Sequence, residues 1–76
     1  MKRYVKECAN DCMKELDRLE QFDMDAARYY GRLDAKEEKE IRSIYSAKRQ
    51  RVKIMLEQCQ YGYISDLKAT ELIAGV

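Results

Sequence analysis

The chain contains no histidine, no proline and no tryptophan, and only three glycines, Gly31, Gly62 and Gly75. Without histidine, the commonest general base and the commonest neutral metal ligand are both missing. Without proline, and with so few glycines, long helices run uninterrupted, whereas a β fold with many tight turns would need those residues. Glycine-rich phosphate loops and dinucleotide fingerprints are absent. No apolar run approaches the roughly 20 residues of a membrane span, and no apolar stretch of a secretory leader follows Lys2 and Arg3. An excess of one charge is lacking too: 15 basic against 14 acidic residues give +1, whereas a dedicated nucleic-acid binder presents a basic surface to phosphate. These absences disfavour an enzyme with a small-molecule substrate, a cofactor protein and a membrane protein. The expected location is the cytoplasm.

What is present is amphipathic. Apolar residues make up 46% and charged residues 38% of the chain, enough to fold and too much for disorder. At this length residues 1–76 form a single helical domain with a thin core. The clearest element is a helix from about 34 to 60. Asp34 and Glu37 form a capping box, Glu37, Glu38 and Glu40 favour the positive end of the helix dipole, and Gly62 supplies a left-handed stop. At about 100° per residue, Ile41, Ile44, Tyr45, Val52, Met55, Leu56 and Cys59 share one face, with Lys48 near its middle. Arg42, Ser46, Arg49 and Lys53 form a stripe along one margin. Residues 41–60 hold five Lys and Arg against one acid, Glu57.

A first helix, about 2–21, puts Val5, Cys8, Ala9, Cys12, Leu16 and Leu19 on one face. Packed antiparallel to the long helix, it brings Leu19 near Ile41 or Ile44, Val5 near Cys59 and Glu15 near Lys48. No carboxylate on its own helix can pair with Lys48, so its ammonium reaches out to water, meets an acid of another segment, with Glu15 the expected partner, or leaves that part of the face open. Between the two, Asp23 or Asp25 caps a short helix of about 24–32, with Gly31 as the turn. Alternatively Gly31 is absorbed and the long helix begins near Asp25. Ser65 caps a last helix, about 65–74, whose Leu67, Leu72 and Ile73 fold back. The expected architecture is all-α: a small antiparallel bundle of two main helices and one or two short ones.

Candidate chemical motifs are weak. Cys8 and Cys12 lie one turn apart and Cys59 lies on the long helix. An odd set of thiols without histidine reads as small buried hydrophobes rather than a metal site. Asp23-Met-Asp25 opens like a calcium loop, but the sixth position is Arg28 where that loop needs glycine. Six of the seven aromatics are tyrosine. Tyr29 and Tyr30 between Arg28 and Arg32 match the residue types of interface hot spots, as well as those that stack on single-stranded nucleic acid.

The functional expectation is a non-enzymatic protein–protein interaction module, a small regulator or inhibitor that masks a partner's surface. Arg28, Tyr29, Tyr30, Arg32, Arg42, Lys48, Arg49 and Lys53 are the candidate partner-binding residues. A homodimer belongs to the same reading, because a broad apolar face on so short a chain finds cover in a second copy. The alternative is a nucleic-acid-binding regulator that uses the basic stripe. In size, charge and helical build the chain is similar in kind to accessory proteins of phages and mobile elements, some of which block host enzymes or defence systems.

Overall fold

The computed structural model describes all residues, 1–76, as three helices and no strands: α1 (Arg3–Tyr29), α2 (Ala35–Gln60) and α3 (Asp66–Ala74). No helix is long and apolar enough to cross a membrane.

The helix ends follow local chemistry. Asp34 Oδ1 accepts from the Glu37 N–H at 2.8 Å and starts α2. Only this half of the capping box forms, since the Asp34 N–H donates to the Arg32 carbonyl instead. Ser65 Oγ accepts from the Lys68 N–H at 3.1 Å and starts α3. Both long helices close on a glycine with positive φ, Gly31 at 68° and Gly62 at 81°. Each glycine N–H bonds back to the second-last turn residue, and the next N–H bonds to the residue before that: Arg32 to Ala27 and Tyr63 to Gln58. This double bond pattern satisfies the orphan carbonyls of a helix end.

One expected boundary is corrected. There is no separate helix over 24–32, and α2 does not begin near Asp25. Instead α1 continues through that stretch to Tyr29. Asp25 pairs with Gln21 at 2.9 Å and Arg28 at 3.2 Å along the helix surface, and Asp23 accepts from the Tyr45 hydroxyl. Met24 and Ala27 extend the buried stripe. With its aspartates satisfied by side chains and its apolar stripe unbroken, the helix has no reason to stop before Gly31.

The chain runs up, down and up. α1 and α2 are antiparallel, as the contacts of Asp23 with Tyr45 and Glu20 with Arg49 require. α3 returns beside the first half of α1, where the Cys8 thiol faces the Thr70 carbonyl at 4.0 Å and Cys12 faces that of Ile73 at 3.5 Å. The core lies in the three-helix half, where Val5, Val52, Ala69 and Ile73 are fully buried. Leu16, Ile41, Tyr45, Met24 and Ala27 carry it into the half with two helices only.

Three expected contacts are corrected. The α1–α2 register is displaced by about one turn, so Lys48 lines a groove with Leu19 as well as Glu15, and the expected Glu15–Lys48 ion pair does not form. Glu15 is held by Arg18 at 3.0 Å, and the Lys48 ammonium lies 5.6 Å from the centre of the Tyr45 ring. Ile44, expected in the core, is 55% exposed, and Leu67 is 66% exposed. Ile44 falls where α3 does not reach, and on α3 the seam is made by Ala69 and Ile73, one turn apart.

Candidate functional site

The sequence-predicted residues separate into three places. Arg28, Tyr29, Tyr30 and Arg32 come together where α1 turns into α2. The Tyr29 and Tyr30 rings meet edge to face with centroids 5.1 Å apart, and the Arg32 guanidinium lies 5.6 Å over the Tyr30 ring. Arg28 is tied to Asp25 at 3.2 Å. Tyr29 and Tyr30 are 83% and 67% exposed, so the stack presents its faces to solvent. The Gly31 turn fixes the chain direction there, which holds Tyr30 and Arg32 on either side of one left-handed residue.

Arg42, Arg49 and Lys53 lie together along α2, on the flank away from α3, but they are not equivalent. Arg42 pairs with Glu38 of its own helix at 2.9 Å. Arg49 reaches across to α1, where Asp17 at 2.8 Å and Glu20 at 3.0 Å hold its half-buried guanidinium. Hydrogen bonding to Glu20 raises the Arg49 pKa further above its ordinary value. Lys53 borders a shallow groove with Lys6, Asn10, Leu56 and Glu57. Thus two of the three stripe cations already have carboxylate partners within the chain.

Lys48 lies on the opposite flank, half-buried beside α3. It lines a groove of about 420 Å³ with Cys8, Cys12, Leu16 and Leu19. Next to it, Tyr45 is buried and its hydroxyl donates to Asp23. That hydrogen bond, aided by burial, pushes the Tyr45 pKa up to about 12. At neutral pH the phenol is therefore a fixed donor in the floor of the α1–α2 groove.

The thiols are placed by packing. Cys12 titrates above the ordinary thiol range because burial and the neighbouring Cys8 disfavour its thiolate. Cys59 donates to Asp66 at 3.0 Å, which raises its pKa and lowers that of Asp66. All three cysteines are free, and no group of three His, Cys, Asp or Glu side chains converges as a metal cage. Raised pKa values oppose thiolate chemistry.

One exposed apolar residue, Phe22, escaped the sequence reading, and a second, Ile44, was expected in the core. Phe22 is 63% exposed on α1, about two turns before Tyr29. Ile44 is its counterpart on α2. Phe22 falls outside the first helix's apolar face, a signal that was available in the spacing. The exposure of Ile44 depends on where α3 ends, which periodicity does not encode. Family models, curated proteins and solved structures give no match to this chain.

Proposed function

We propose that the chain is a non-enzymatic protein–protein interaction module, a small regulator or inhibitor that acts by covering a partner's surface. The observation that carries this reading is the exposed Tyr29–Tyr30–Arg32 stack at the α1–α2 turn. Rigid aromatic rings braced by a guanidinium supply large contact area at low ordering cost, and tyrosine and arginine dominate binding hot spots. A stack already assembled in the free chain avoids part of the entropy lost on association.

The nucleic-acid alternative draws on the same rings, which can stack on bases. Its electrostatic arm is weaker, because Arg42 and Arg49 are already neutralised by Glu38, Asp17 and Glu20. The test compares the wild-type chain with Tyr29→Ser/Arg32→Glu as baits in the native cells, alongside retention on heparin at rising salt. A protein partner captured by the wild type and lost by the variant supports the reading. Strong heparin retention that falls steeply with salt, with no protein lost by the variant, replaces it with the alternative.

A further inference from the structure

Cys8 and Cys12 stand one turn apart on α1, and both turn toward α3. Their thiols face the carbonyls of Thr70 and Ile73 at 4.0 and 3.5 Å. Those carbonyls lie three residues apart on one edge of α3, so the two sulfurs point the same way. Neither is sealed in: both are half-buried and open into the groove of about 420 Å³ that Lys48 also lines. Burial and then the neighbouring Cys8 raise the Cys12 pKa, so the two sulfurs are close enough to interact. Thiolates that repel each other are relieved by a cation placed between them. The pair lies alongside α3 rather than past its end, in a setting built from all three helices.

What such a pair can hold follows from its number and spacing. Zinc takes four ligands in a tetrahedron, and no third His, Cys, Asp or Glu converges on these sulfurs. Glu15 lines the groove as well but is held by Arg18 at 3.0 Å. A monovalent d¹⁰ ion, copper(I) above all, is satisfied by two soft thiolates in line. Cβ atoms one helical turn apart are about 5–6 Å from each other. A linear unit with two metal–sulfur bonds of about 2.3 Å spans roughly 4.6 Å, so thiols that lean slightly inward reach it without backbone movement. A raised thiol pKa does not oppose this, because a coordinating thiol is deprotonated outright.

Charge distinguishes ions of one and two charges. A monovalent ion between two thiolates leaves the unit with one negative charge, whereas mercury(II) leaves it neutral. Lys48 supplies the answering charge. Its half-buried ammonium lies 5.6 Å from the centre of the Tyr45 ring rather than on a carboxylate, and it lines the same groove as both thiols. An unpaired cation in an apolar groove is unfavourable, and an anionic complex beside it relieves that.

We propose that Cys8 and Cys12 bind one copper(I) ion in linear dithiolate coordination, with Lys48 balancing the negative charge of the complex. The ion enters and stays as copper(I); two S–H protons leave to water as two copper–sulfur bonds form. The turn cluster of the partner surface begins about 25 Å further along α1 and takes no part, so the two readings stand or fall separately.

The test adds copper(I), held reduced by ascorbate without oxygen, to the full chain in competition with a chromophoric copper(I) chelator. Native mass spectrometry counts the bound ions, and circular dichroism checks the fold of each variant. The wild type is expected to take one ion. Cys8→Ser and Cys12→Ser should each weaken binding by about a hundredfold or more, and Cys59→Ala should bind like the wild type. Lys48→Met should weaken copper(I) binding about fivefold and leave mercury(II) binding unchanged. In the wild type, bound copper should slow alkylation of Cys8 and Cys12 by iodoacetamide and leave the rate at Cys59 unaltered, a readout that needs no variant to fold. A wild type that takes no copper(I) overturns the proposal. So does binding that survives undiminished in folded Cys8→Ser or Cys12→Ser, or copper that protects Cys59 instead of the pair. Equal losses of copper(I) and mercury(II) binding in Lys48→Met overturn the role given to Lys48.

Discussion

Arg49 of α2 and Glu20 of α1 join the two long helices through paired contacts of 3.0 and 3.4 Å between guanidinium and carboxylate. Asp17, one turn away on α1, holds the same guanidinium at 2.8 Å. The middle of the basic stripe is therefore a clasp between helices, which also fixes their register. Side chains 23% and 18% exposed keep part of the attraction that water would screen.

Removing that clasp should cost stability rather than binding. Arg49→Ala leaves Glu20 half-buried and unpaired, a loss of about 2 kcal/mol for hydrogen bonds to a charged group. Urea unfolding should show a lower midpoint with an unchanged slope. A midpoint within error of the wild type would mean that the clasp is a surface pair of no consequence.

The Tyr45–Asp23 hydrogen bond predicts an alkaline signature. The folded pKa of Tyr45 is about 12 against an ordinary 10.0, so folding favours the protonated phenol. Its stabilisation is fully present below pH 10 and is lost as the pH rises through 12. Tyr45→Phe should cost about 1–2 kcal/mol at neutral pH. The gap between variant and wild type should close between pH 10 and 12 in parallel urea titrations. A gap that stays constant across that window would show that the phenol does not titrate in the way the contact implies.

Much of this architecture was legible because certain ends carry their own chemistry. Asp34 and Gly62 bracket α2, and Ser65 opens α3, each by a local hydrogen bond or left-handed residue. The end of α1 was not legible. Asp23 and Asp25 are residue types that cap helices, and only the fold shows their carboxylates satisfied by Tyr45, Gln21 and Arg28. Register was out of reach for the same reason, since it rests on Arg49 meeting Glu20. Their spacing offered one clue: Asp17 and Glu20 lie three residues apart on one helix side, placed to share a cation. The turn cluster was legible as residue types, whereas its stacking geometry depends on the left-handed turn at Gly31, and the exposure of Ile44 on α3 packing beside Lys48.

The glycine stops make a paired prediction. Gly31 and Gly62 have φ of 68° and 81°, and a Cβ added at either would meet nothing within 4 Å. The cost of Gly31→Ala or Gly62→Ala is thus backbone strain alone, about 1–2 kcal/mol for a left-handed residue. Asparagine, which tolerates that region, should cost less at either position. Thermal melts of the four variants test this ordering, and alanine equal to asparagine would contradict it.

The most direct test of the account is where on the surface the partner sits. A photo-crosslinking phenylalanine analogue placed at Tyr29, and separately at Lys53, would be activated in the native cells and its adducts identified by mass. The account predicts a discrete protein adduct from position 29, abolished by Arg32→Glu, with none from position 53. Adducts from position 53 alone, or nucleic acid rather than protein at position 29, would contradict it.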